Sequence, residues 1–90
     1  SHADFSHHVY PNPFSDNTVI SFKLEQKAQV DITLFDLTGR KVADIASKRF
    51  DKGIHEVVWS FPNKILGAMT FYYIISVDGK KYSGKMIKMP

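Results

Sequence analysis

Cysteine is absent from all 90 residues, which excludes disulfide staples and thiolate metal centres. No apolar run approaches the roughly 18–20 residues of a membrane-spanning helix. The N-terminus lacks the charged-then-apolar layout of a secretory leader. Arginine is scarce, with only Arg40 and Arg49, too few for a phosphate-reading surface. Glycine-rich phosphate loops are missing, as are internal repeats and low-complexity tracts. A chain this short buries roughly 60–65% of its unfolded surface on folding, enough for one modest core. Little protein is left to wall off a deep pocket. A free-standing enzyme, a membrane-spanning protein and a disulfide miniprotein are therefore all disfavoured.

Charge is unevenly spread. The net charge is +3, and four lysines, Lys80, Lys81, Lys85 and Lys88, stand against the single acid Asp78 in the last thirteen residues. The other 77 residues hold eight basic and eight acidic groups and are neutral overall. The basicity belongs to one terminal hairpin and not to a whole face, which argues against a nucleic-acid partner.

The apolar pattern repeats every two residues. Ile20, Phe22 and Leu24 alternate with polar neighbours, as do Val30, Ile32 and Leu34, and then Val57, Trp59 and Phe61. From Phe71 to Val77 both phases are largely apolar, which reads as a central strand covered on both sides. Asp78-Gly79 between Val77 and Lys80 is a strong signal for a two-residue hairpin turn, since both positions tolerate positive φ. Asp36-Leu37-Thr38-Gly39 and Asp51-Lys52-Gly53 mark further turns, and Pro11-Asn12-Pro13 enforces a non-helical entry. Asn63 to Gly67 is the longest irregular stretch, a connection between sheets. Ala43 to Ser47 could form a helical turn but is too short to be stable alone. The expectation is an all-β fold, an immunoglobulin-like antiparallel β-sandwich of seven or eight strands. Residues 1–9 are expected to be a tag remnant and linker, and residues 10–90 a single domain.

Candidate chemical groups have structural explanations. His7 and His8 are adjacent on a strand and point to opposite faces, so they cannot chelate one ion together. His55 is in phase with Val57 and Trp59, and is expected to be neutral and satisfied by a backbone carbonyl. Asp36, Asp51 and Asp78 sit in turns before glycines, where carboxylates accept backbone N–H bonds. Glu25 and Glu56 are the only glutamates, and no cleft holds them at a glycosidase-like separation. Asp16-Asn17 with Asp36 lack the spacing of a calcium loop. Catalytic, metal and cofactor residues are expected to be none. Among the aromatics, Phe22, Trp59, Phe61, Phe71 and Tyr73 belong in the core. Phe35, Tyr72 and Tyr82 fall out of phase and form a candidate exposed patch.

Read in order, Tyr10-Pro11-Asn12-Pro13-Phe14, Thr18 to Phe22, Val30 to Val42, Gly53 to Trp59 and Gly84 to Lys88 resemble the C-terminal sorting domain of type IX (Por) secretion substrates of the Bacteroidetes phylum. The resemblance runs from Tyr10 to the end. It implies a non-catalytic immunoglobulin-like sandwich at the end of a large cargo such as a peptidase, glycoside hydrolase or adhesin. The partners it implies are the outer-membrane translocon, a sortase-like peptidase that cuts ahead of the domain, and the fused N-terminal cargo. The route it implies runs through the periplasm to secretion or the cell surface. Carried onto this chain, the family's recognition residues are Gly79 in the final turn and Lys85, Met86, Ile87 and Lys88 in the last strand. The chain departs from the family in one place. Where a Gly-x-Tyr pair is usual before the penultimate strand, Met69 and Phe71 stand here, with Gly67 two residues early. A second reading, from a different class, is an accessory module that binds carbohydrate through Tyr72 or Tyr82, or acts as a spacer.

Overall fold

The computed structural model describes residues 5–61 and 68–90. Seven strands follow in chain order: β1 (His7–Tyr10), β2 (Asn17–Leu24), β3 (Ala28–Asp36), β4 (Lys41–Phe50), β5 (Gly53–Ser60), β6 (Met69–Val77) and β7 (Lys80–Lys88). They form two antiparallel sheets, ordered β1-β2-β5 and β4-β3-β6-β7. This is an immunoglobulin-like sandwich in which the fourth strand stays beside the third instead of crossing to the first sheet. The connection expected at Asn63–Gly67 lies outside the described residues.

The period-two pattern becomes burial. Ile20, Phe22 and Leu24 of β2 face Val30, Ile32 and Leu34 of β3, with Phe71, Tyr73 and Ile75 from β6, and all are buried. Val57, Trp59 and Phe61 pack against this cluster half-buried. The Asp78-Gly79 turn has φ of 48° and 88°, the two positive values a type I′ hairpin requires. Asp36 organises its own turn: its Oδ1 accepts from the Thr38 and Arg40 amides at 2.9 and 3.1 Å. Gly39 takes the left-handed position with φ of 88°.

Two local expectations are corrected. Residues 43–47 continue β4 as strand. A helical turn there would close few of its own hydrogen bonds, whereas the edge of β3 offers a long ladder, with irregularities near Ile32/Thr33 and Leu34/Phe35. Strand β6 is central in its sheet, but only its inward face is covered. Its outer residues Tyr72, Ile74 and Ser76 are half-buried, shielded by neighbours in the same sheet. A two-layer domain has no third layer to lay over them.

The N-terminal motif has a definite structural task. Phe14 is buried in the core, and its backbone joins the far edge of β7: its amide donates to the Ile87 carbonyl at 2.9 Å and its carbonyl accepts from Met89 at 2.7 Å. Asn12 spans the same edge. Its Nδ2 donates to the Lys85 carbonyl at 3.0 Å and its Oδ1 accepts from the Ile87 amide at 2.9 Å. Thr18 Oγ1 fastens the intervening bend by donating to the Pro11 carbonyl at 2.8 Å.

Candidate functional site

Alternation along β7 divides the sequence-derived recognition residues between two faces. Met86 is fully buried, and Lys88, in the same phase, is 6% exposed, with its Nζ donating to the Met89 carbonyl at 2.5 Å. Lys81 and Lys85 point the other way and are exposed, with Ile87 half-buried in that phase. Gly79 sits at the exposed hairpin tip. Lys88 therefore adds no cation to the outer face. Of the four lysines of the hairpin, Lys80, Lys81 and Lys85 are solvent-exposed.

Cross-strand register assembles a row on that outer face. Lys85 pairs with Tyr72, Tyr72 with Phe35, and Phe35 with Lys41, one residue from each of β7, β6, β3 and β4. The Phe35 and Tyr72 rings stack at 5.5 Å with 18° between their planes. Two aromatic rings thus lie between Lys85, which has no ion-pair partner among the described residues, and Lys41, held by Asp44 at 2.9 Å. Phe35 and Tyr72 were legible in the sequence as out-of-phase aromatics. Their junction with Lys85 was not, because it depends on strand order. Tyr82 does not belong to this patch. It pairs with Ile75 on the inward side, and its ring lies 4.6 Å from that of Phe5.

The histidines carry structural duties. His55 Nε2 lies 2.7 Å from the Asp51 carbonyl, which can only accept, so this nitrogen bears the proton. Its ring packs edge-on against Phe50 at 4.9 Å. His7 Nδ1 is 2.9 Å from the Tyr73 hydroxyl, while His8 stacks outside on Tyr10 at 5.2 Å. Burial, reinforced by the nearby His8 charge, holds His7 below its ordinary pKa, and burial also raises that of Tyr73. The hydrogen bond from Thr38 is the largest influence lowering Asp36. Its carboxylate is occupied by its own turn. Among the described residues no group of three or more His, Asp or Glu side chains is placed to hold a metal ion.

Tyr73 has a second role. Gly84 is its direct cross-strand partner, and the ring lies over the glycine: a Cβ there would come within 2.6 Å of Cε2, and closer still to Cζ and Oη. The inward face of β7 is thus one continuous seat, filled by Met86, the Tyr73 ring over Gly84, and Tyr82 against Phe5.

No curated protein matches the chain. A family model described as the secretion system C-terminal sorting domain matches residues 8–60, which is more than half of the sequence and runs from β1 through β5. Gly79 and Lys85 to Lys88 lie beyond the matched segment. Domains of this family are in general non-catalytic sorting signals of type IX secretion, and they direct export to the cell surface or the medium. With that match, the seven-stranded sandwich and the ordered motifs that fill it, the chain belongs to the secretion system C-terminal sorting domain family.

Proposed function

We propose that the folded sandwich is a handle read by the type IX outer-membrane translocon, and that the reading surface is the outer side of β7 with its hairpin tip. Lys81 and Lys85 supply the charge, Ile87 and the Phe35–Tyr72 pair supply apolar contact, and Gly79 shapes the tip. Met86 and Lys88 act from the inward face by seating the strand. The observation that carries this reading is the division of β7 into a buried face and a lysine-bearing exposed face. Exposed lysines also keep an edge strand from pairing with other chains, and that role is compatible with recognition. An acidic partner surface is the natural complement, with association strengthened at low salt.

In this proposal the chain performs no catalysis. It carries an N-terminally fused cargo through the periplasm, and a sortase-like peptidase cuts ahead of the domain to release the cargo or pass it to the cell surface. The test is a fusion of residues 5–90, which include all of β1, to a foreign periplasmic protein in a type IX-competent host. Export of the fusion is expected. Its loss on Lys81→Glu/Lys85→Glu, with the fold intact, is expected too. Undiminished export of that double variant would remove the proposed surface. The stacked Phe35–Tyr72 pair favours one competing reading, a carbohydrate-binding module. That reading requires polysaccharide affinity lost in Tyr72→Ala, and export indifferent to the lysines.

A further inference from the structure

The two sheets have four outer edges, and three are guarded. β1 is only four residues long. The edge of β4 carries Lys41, Asp44, Lys48 and Arg49 and is interrupted by two register irregularities. The edge of β7 is covered near its end by Asn12 and Phe14, and the strand carries Lys81 and Lys85. These are the devices by which sheet edges avoid pairing with other chains. Strand β5 has only one of them, the single charge of Glu56. It is eight residues long, pairs with β2 in unbroken register, contains neither lysine nor proline, and has no partner on its other side among the described residues. Its outward side chains include Ile54, 72% exposed, and Val58, 63% exposed.

We propose that this edge pairs with the same edge of a second copy of the chain, forming a two-fold antiparallel dimer with a continuous six-stranded sheet. The spacing of the side chains selects the register. With Glu56 on the two-fold axis, Ile54 of each copy lies directly opposite Val58 of the other, giving two apolar cross-strand pairs on one face. The like charges at the axis are drawn aside, because each Glu56 carboxylate accepts a hydrogen bond from the Tyr10 hydroxyl. Tyr10 lies on β1, so this bond pulls the carboxylate back across β2, away from the free edge. The contact is isologous and uses the least guarded edge among the described residues of each copy, so it closes at two and does not propagate into a fibre. A single strand pairing buries well under the roughly 1,000 Å² of a stable interface, so the dimer is weak and forms at high concentration.

Sedimentation of the whole chain from about 10 µM to about 1 mM tests the idea, the upper range being where so small an interface fills. The mean mass is expected to climb from 10.3 kDa toward twice that value. Val58→Lys, and independently Ile54→Lys, should hold it at the monomer value with Trp59 fluorescence unchanged. The cysteine-free background allows a test of register. Glu56→Cys meets itself at the axis and should oxidise to a disulfide dimer at least tenfold faster than Ser47→Cys on the guarded β4 edge. A chain that stays monomeric at the highest concentration would overturn the proposal. So would dimerisation that survives Val58→Lys, or cross-linking no faster at position 56 than at 47. None of these outcomes bears on export, which the lysine variants test separately.

Discussion

Replacing Gly84 by alanine adds one methyl group to a strand, a change that ordinarily favours extended structure by roughly 0.5–1 kcal/mol. Here the sign is expected to reverse. The new Cβ would lie 2.6 Å from Tyr73 Cε2, and the ring is buried between the sheets with no free side to swing into. Forcing an aromatic ring off its site in a packed interior costs about 1–3 kcal/mol. Displacing it also breaks the Tyr73–His7 hydrogen bond that ties β6 to β1, worth about 1 kcal/mol more. The net expectation is a loss of about 2 kcal/mol, which lowers Tm by roughly 8–16 °C in a domain of this size. Urea unfolding followed by the fluorescence of the sole tryptophan, Trp59, should show a lower midpoint with an unchanged slope. A double-mutant cycle isolates the cause: with Tyr73→Val already in place, Gly84→Ala should become neutral or stabilising. If Gly84→Ala is as stable as the parent, or if its cost persists without the ring, the close approach of ring and glycine is not what fixes this position.

Three further outcomes follow from the same packing. Asn12→Ala removes two hydrogen bonds to the β7 backbone and should cost about 1–2 kcal/mol. Hydrogen exchange should quicken most at the Ile87 amide, and protection there equal to the parent's would contradict the clamp. His7 has a folded-state pKa below its unfolded value of 6.5, so the unfolded chain binds the extra proton first on acidification. Its contribution to stability is complete above pH 6.5 and is lost as pH falls through the lowered value. His7→Gln should flatten that part of the stability profile, and an unchanged slope would place the titration elsewhere. Lys81→Glu/Lys85→Glu should abolish export of a fused cargo while leaving Tm within a few degrees, because both side chains are exposed.

Much of the fold was legible because alternation is a local signal. Ile20-Phe22-Leu24 and Val30-Ile32-Leu34 announce their buried faces without knowledge of their partners, and Asp78-Gly79 announces its turn by backbone chemistry alone. The errors arose where a residue's surroundings come from distant chain. Tyr82 looked exposed by phase, but Phe5, 77 residues earlier, lies against its ring. Phe71 to Val77 looked doubly covered because both phases are apolar, yet its outer face is only half-buried, flanked by side chains of its own sheet. The recognition residues show the same limit. Counting charge picks out Lys80, Lys81, Lys85 and Lys88 together, and only the alternation of a strand seated on the core turns Lys88 inward. The Asn12–β7 clamp could not be read from sequence at all, since nothing local tells an asparagine between prolines what it will hold.

That clamp joins positions 73 and 75 residues apart in the chain. The outer side of β7 therefore takes its final shape only after the first strand, the bend behind it and the last strand have all found one another. A misassembled chain would show a frayed last strand in place of an ordered one. Anything that touches this strand meets, in one local surface, a report that two distant parts of the sandwich have closed on each other.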